Sequence, residues 1–261
     1  MKRSIHLLSF LLLGATFMTA CGPDDDDVKP VVDPQVKETA LELNFDSRFG
    51  AGDFALGTSY QTASNDAITF SSMGYFVSNV ELVRADGTSW KEPNSYHLIQ
   101  VEDQEVRENF TIKNVPAGNY TKLRYMLGVD SVRNQSLDLA VGDLKLNNHM
   151  TWMWNTGYIF VHAKGTYQQP DSIPATQIYS YDIGKNGRQR MVELPMPTSI
   201  TVSTEKTAKV HIYADMKKLF GGPNVIQVKN TFHIDGTPAA SAASHLVADN
   251  AATMFSVNAI H

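Results

Sequence analysis

The sequence predicts an all-β protein, a single Greek-key or immunoglobulin-like β-sandwich with little helix, and three observations predict it. Short runs rich in Val, Ile, Tyr, Phe and Thr recur along the chain, spaced roughly 8–12 residues apart. Several of them alternate apolar and polar side chains, the period of a strand with one buried face. Turn-forming residues stand between the runs, and helical composition is confined to two places.

Taken in order, Leu41-Glu42-Leu43-Asn44-Phe45 alternates cleanly, as does Ala67-Ile68-Thr69-Phe70, and Tyr75 to Val83 is dense in strand formers. Asp86-Gly87 supplies a hairpin turn of the type with two positive φ values. Tyr96 to Val101, Phe110 to Val115 and Tyr120 to Val129 read as further strands, with Pro116-Ala117-Gly118-Asn119 as punctuation. Gln177 to Ile183, Arg190 to Leu194, Ser199 to Val202, Lys209 to Ala214 and Asn224 to Val228 complete the set. One or two helical turns are expected after Asp215, ended by Gly221, and a second helix over Ser241 to Met254.

The stretch from His149 to Gly165 holds two of the three tryptophans. Side chains two apart in a strand share a face, so Trp152 and Trp154 would form one row and Tyr158, Phe160 and His162 another. Asn155-Thr156-Gly157 interrupts the run, which predicts two short strands joined by a tight bend. Trp90, beside the Asp86-Gly87 turn, reads as a rim aromatic packed on a hairpin.

Residues 1–20 read as a secretory signal rather than fold: Met1-Lys2-Arg3 is basic, Leu7 to Leu13 is almost wholly apolar, and small residues precede Cys21. The apolar run is too short to span a bilayer. A lone cysteine at that point resembles the bacterial lipobox, which implies lipidation of Cys21. Residues 21–37, opening Gly22-Pro23 and four aspartates before a Pro- and Val-rich run, read as a solvated tether. That acidic cluster also resembles the surface-export signal of Bacteroidetes-type lipoproteins, which implies a cell-surface-exposed outer-membrane lipoprotein. Residues 38–261 contain no linker-like break and read as one domain.

Loss of residues 1–20 removes Lys2 and Arg3, so 20 basic side chains face 27 acidic ones and the net charge moves from −5 to −7. No basic patch is present, which argues against nucleic acid as a partner. With Cys21 acylated no thiol remains, so any metal must be held by imidazole, carboxylate or an unusual donor. Seven histidines survive processing: His97, His149, His162, His211, His233, His245 and His261. None makes a local zinc spacing, and no nucleophile elbow or carboxylate pair is visible, so the chain reads as a non-enzyme. His97 and His211 read as surface or hydrogen-bonded strand residues, whereas His233, His245 and His261 fall in a loop- and helix-rich tail.

Taken together, Tyr75-Phe76-Val77-Ser78-Asn79, Gly128-Val129-Asp130-Ser131-Val132-Arg133-Asn134, the Trp152-x-Trp154-x-x-Gly157-Tyr158 run, His233 and the closing Met254-Phe255-Ser256-Val257 with His261 resemble the MbnP-like copper-binding protein family. The resemblance spans about Leu41 to His261. It implies copper held by histidines, with His233, His245, His261 and His162 as the candidates. It also implies oxidation of a tryptophan, Trp152 or Trp154, to kynurenine by a dihaem peroxidase-like partner, and transfer of copper to a TonB-dependent outer-membrane transporter. Kynurenine presents an aromatic amine, a ligand that indole, only a donor, cannot supply. The chain departs from the family at Asp46 and at Ala259, where several members carry histidine. The alternative reading is a non-catalytic sandwich that binds glycan or protein partners on an aromatic platform of Trp152, Trp154 and Tyr158.

Overall fold

In a computed structural model, which describes residues 38–145, 149–152, 154–169 and 172–261, the strand-forming runs pair into two facing sheets. Residues 1–37, and with them the signal, the tether and Cys21, lie outside the described residues. In chain order the elements are β1 (Ala40–Phe49), β2 (Gly52–Asp53), β3 (Tyr60–Gln61), β4 (Ala67–Val83), β5 (Ser89–Lys91), β6 (Tyr96–Glu102), β7 (Glu105–Arg107), β8 (Asn109–Lys113) and β9 (Gly118–Leu127). After a long connection follow β10 (Ile159–Gln168), β11 (Thr176–Gly184), β12 (Arg190–Val202), β13 (Ala208–Asp215), α1 (Lys218–Gly221), β14 (His233–Ile234), α2 (Ser241–Ala252) and β15 (Phe255–Ile260).

The smaller sheet, A, runs β15-β13-β1, with β8 and the short β2 on the far edge of β1. Its centre is a parallel pair from opposite ends of the chain, in register from Leu41 against Ala208 to Arg48 against Asp215. Sheet B runs β12-β9-β4-β10-β11-β14, with β3, β5 and β6 also paired to the long β4. Leu41, Leu43 and Phe45 of β1, Val210 and Ile212 of β13, and Tyr75, Tyr125, Tyr179 and Tyr181 of sheet B fill the space between the sheets. Phe45 is the hub, meeting Tyr75, Tyr125 and Phe255 edge-on at 6.1 Å each. Such pairs contribute about 0.5–1.5 kcal/mol each beyond area burial.

Sheet B is buried on its inner face and on part of its outer one. Outward-facing Phe76 of β4, Leu98 of β6 and Phe160 of β10 join Val129, Leu144, Met150, Trp152 and Tyr158 in a second core. Alternation alone would leave that face wet. The described residues of the connection between β9 and β10 fold across part of it instead.

Two expected boundaries are corrected. Arg190 to Leu194 and Ser199 to Val202 are one strand, β12, whose register slips between Pro195 and Ile200. The strand survives its prolines because it is a sheet edge, paired only to β9, where a missing N–H costs no ladder bond. Asn224 to Val228 is not a strand but a segment held to α2, touching the ladder pattern only at a Gly221–Val225 bridge. The buried amide of Asn250 takes its backbone groups, accepting from Asn224 N at 2.8 Å and donating to Asn224 O at 2.7 Å. The two helices fall where expected, α1 as a single turn.

Gly165 is the tightest point in sheet B. A β-carbon there would stand 1.8 Å from the Thr69 carbonyl oxygen, a backbone atom that cannot swing away. Gly165→Ala is therefore expected to lower stability by roughly 3 kcal/mol or more. Urea denaturation tests this, and a midpoint equal to wild type would refute the close approach of β4 and β10.

Candidate functional site

The site is built by the connection that covers sheet B. The chain leaves β9 at Gly128, whose φ of +113° and close approach to the Phe160 ring both require glycine. Asp130 then accepts the backbone N–H groups of Val132 and Arg133 at 3.2 Å each, and the phenol of Tyr96 donates to it. Burial pushes the Asp130 carboxyl up, but these hydrogen bonds outweigh it and hold it below the usual range. Burial together with that carboxylate pushes the Tyr96 phenol up to about 12. Three short 3-10 turns follow, and Asn134 in the first accepts the Tyr158 backbone N–H at 2.8 Å. Its amide donates to Asn186 at 2.9 Å. A β-carbon at Gly157 would lie 2.7 Å from the Asn134 oxygen. The Gly-Val-Asp-Ser-x-Arg-Asn run and the Trp-x-Trp-x-x-Gly-Tyr run thus form one interlocked unit.

The tryptophans sit differently from the expected strand row. Among the described residues only a Thr151–Tyr158 bridge pairs the first half of their segment, and the strand begins at Ile159. Trp152 is 7% exposed and Trp154 57%, with ring centroids 5.6 Å apart at 57°. Two glycines make room for the indoles: a β-carbon at Gly184 would stand 2.8 Å from Trp152, and one at Gly236 3.3 Å from Trp154 and 3.4 Å from Trp152. The Trp152 Nε1–H is buried with no hydrogen-bond partner among the described residues. Lys185 places its ammonium 5.5 Å from the Trp154 ring centroid.

Beside the indoles lies a cleft of about 730 Å³, lined by His149, Trp152, Trp154, Asp182, His233 and Asp235 among others. Asp235 accepts from the Thr237 hydroxyl at 2.5 Å and from its N–H at 2.9 Å. A smaller hollow of about 340 Å³, lined by Ser72 and His162, shares Glu102, His149 and Lys164 with the cleft. His162 is 3% exposed, and both of its ring nitrogens are engaged, by Asp182 at 2.5 Å and by Ser72 at 3.0 Å.

Of the four histidines the sequence singles out, His162 and His233 come to this side of sheet B and two do not. His245 is on the exposed side of α2, where burial and the guanidinium groups of Arg188 and Arg190 push its imidazole down. His261 pairs through its backbone with Lys209 on sheet A, its ring 5.4 Å from that of His211. There it joins both departures from the family pattern, since Ala259 is in register with His211 and Asp46 lies 4.0 Å from it. His149 is the ligand-type residue the sequence reading passed over; its place at the edge of the aromatic stretch was the available signal. Among the described residues no three His, Asp or Glu side chains stand close enough to hold a metal ion by themselves.

Two facing sheets, with an aromatic and imidazole-bearing cleft on the outer side of the larger one, define a β-sandwich protein with a ligand-sized site. The chain matches the MbnP family over residues 38–243 and belongs to it. Among solved structures it is similar to MbnP from Methylosinus trichosporium, at 14% identity over 78% of this chain and 82% of that one, with a TM-score of 0.52. At that identity the likeness speaks for the fold. No curated protein sequence matches.

Two outcomes follow from this geometry. Asn134→Ala leaves the buried Tyr158 N–H unpaired and is expected to cost about 1–3 kcal/mol and to shift tryptophan fluorescence; unchanged urea unfolding and emission would refute the interlock. Burial pushes the Asp235 carboxyl up, yet the Thr237 bonds and the nearby His233 outweigh it and hold it below the usual range. A carboxylate lowered in the folded state contributes stability that is complete above its unfolded value of about 3.9 and is lost as pH falls through the folded one. Tryptophan fluorescence is therefore expected to change below about pH 4 in wild type and not in Asp235→Asn, and superimposable titrations would refute this role.

Proposed function

We propose that this protein binds copper as cargo in the cleft on the outer side of sheet B, as a lipid-anchored outer-membrane protein of copper acquisition or handling. The observation that carries the reading is that both tryptophans of the Trp-x-Trp motif and two imidazoles, His149 and His233, line one cleft. Membership of the MbnP family supports it. Imidazole suits both copper oxidation states. Two imidazoles fall short of a ligand set, and oxidation of a tryptophan would add the missing nitrogen. Trp154 is the better substrate for that step because more than half of its ring is open to a modifying enzyme. The glycines at 184 and 236 leave the indoles uncrowded, a fit that a β-carbon at either position would remove. His162 is left out of the set because its nitrogens already serve Ser72 and Asp182.

The same reading assigns a dihaem peroxidase-like enzyme to the oxidation of Trp154, a TonB-dependent transporter to the onward passage of copper, and Cys21 to the lipid anchor. It is tested on protein from the native host grown in scarce copper, by peptide mass and copper content together. The expected result is kynurenine at Trp154 and about one copper per chain, lost in the His149→Ala/His233→Ala double variant and kept in His211→Ala/His261→Ala. The reverse pattern would move the copper to sheet A. Unmodified tryptophan with no copper in any form would overturn the reading in favour of a sandwich whose exposed Trp154 binds glycan or protein.

A further inference from the structure

We infer that Ser72, His162 and Asp182 form a second site beside the cleft, an acyl-transfer triad that hydrolyses small neutral acyl esters. The three residues come from the adjacent strands β4, β10 and β11 and share the outer face of sheet B. His162 stands directly opposite Asp182 in one register and opposite Gly74 in the other. The imidazole reaches diagonally to Ser72. Its Nδ1 lies 2.5 Å from Asp182 Oδ1, and its Nε2 lies 3.0 Å from Ser72 Oγ. A carboxylate only accepts, so Nδ1 carries a proton, and in the neutral imidazole Nε2 is then the acceptor for the Ser72 hydroxyl. Nucleophile, base and orienting carboxylate therefore stand in the relation that acyl transfer requires, which is recognised by geometry and not by sequence order.

The surroundings serve the same chemistry. Ser72 pairs with Lys164 while Phe70 pairs with Gly165, so Ser71 is an extra residue and the ladder bulges at the nucleophile. Bulges of this kind re-aim side chains and are frequent beside active sites. Ser72, half-buried, and Lys164 line the same hollow of about 340 Å³. Lys164 has no ion-pair partner among the described residues, so its ammonium is free to stabilise charge on an ester carbonyl oxygen. Glu102 and Asp103 on the wall repel anionic esters, and the hollow is large enough for a small acyl ester.

In the first half-reaction the Ser72 oxygen bonds to the ester carbonyl carbon and its proton passes to His162 Nε2. The carbon–oxygen bond to the alcohol then breaks, and the proton leaves with the alcohol. Water repeats the sequence on the acyl-serine, giving the carboxylic acid and restoring Ser72. Ser72 and His162 are the catalytic residues, and Asp182 is a positioning residue that acts through His162. The copper reading does not use these three side chains, so the two stand or fall separately.

The test uses the full chain freed of metal with chelator, p-nitrophenyl acetate as substrate and a fluorophosphonate probe read by peptide mass. The expected result is a single adduct on Ser72 and turnover above buffer, with both reduced at least ~100-fold in Ser72→Ala and retained in Ser71→Ala. Asp182→Asn is expected to slow labelling at least ~10-fold and to lower kcat on p-nitrophenyl acetate with KM unchanged, because the orientation of the imidazole is lost while the hollow is kept. A merely structural Asp182 would not lower kcat at constant KM. No adduct on Ser72, equal labelling of Ser71, or an unchanged kcat in Asp182→Asn would each overturn the proposal.

Discussion

The long strand β4 turns a continuous apolar face toward sheet A, and on its outer side Phe76 with the neighbouring Leu98 and Phe160 leaves a second apolar surface, so sheet B has to be covered twice. Sheet A covers one face, through Phe45 and the aromatic residues around it. On the other, Val129, Leu144, Met150, Trp152 and Tyr158 of the connection between β9 and β10 cover Phe76, Leu98 and Phe160. At about 25 cal/mol per Å² of apolar surface removed from water, a layer of this kind offsets part of the entropy of ordering the connection. Its irregular backbone is held by side chains instead, chiefly Asp130 and Asn134.

That constraint explains where the tryptophans stand. A second sheet would have hidden both rings in alternation, whereas a loop seated on a sheet can bury Trp152 and leave Trp154 at its rim. The same loop brings His149 to the strand ends that carry His162 and Asp182, and β14 delivers His233 from the far side of β11. Backbone room matters as much as side-chain identity here. Gly184 and Gly236 admit the indoles, and Gly157 lets the chain pass Asn134.

The fold was legible in the chain because a period of two and the turn residues between runs act locally, within a few neighbours. Legibility failed where a distant group replaced a local one. The Asn224–Val228 run has strand composition, but its backbone groups go to scattered distant partners, Asn224 to the Asn250 amide, Ile226 to Ser64 and Phe220, and Val228 to Asp66. Pro195 and Pro197 read as a break, yet an edge strand tolerates them. The site was legible in part: the Trp-x-Trp run and the Gly-Val-Asp-Ser-x-Arg-Asn run marked the right region, and His162 and His233 belong to it. His261 lies on the opposite sheet and His245 on an exposed helix face, which no spacing along the chain reveals.

By itself, then, the sequence determined the sandwich class, the family, the acidic cysteine-poor character and the two motifs around which the site is built. The class and the charge character follow from composition, periodicity and short-range turn chemistry, and the family from the resemblance carried by the motifs. Tertiary structure alone decided which side chains meet. Ser72, His162 and Asp182 are separated by 90 and 20 residues and share a hydrogen-bonded chain only because β4, β10 and β11 are neighbours in one register. Strand order and register are set by the cooperative burial of two cores, a property of the whole chain that no single segment encodes.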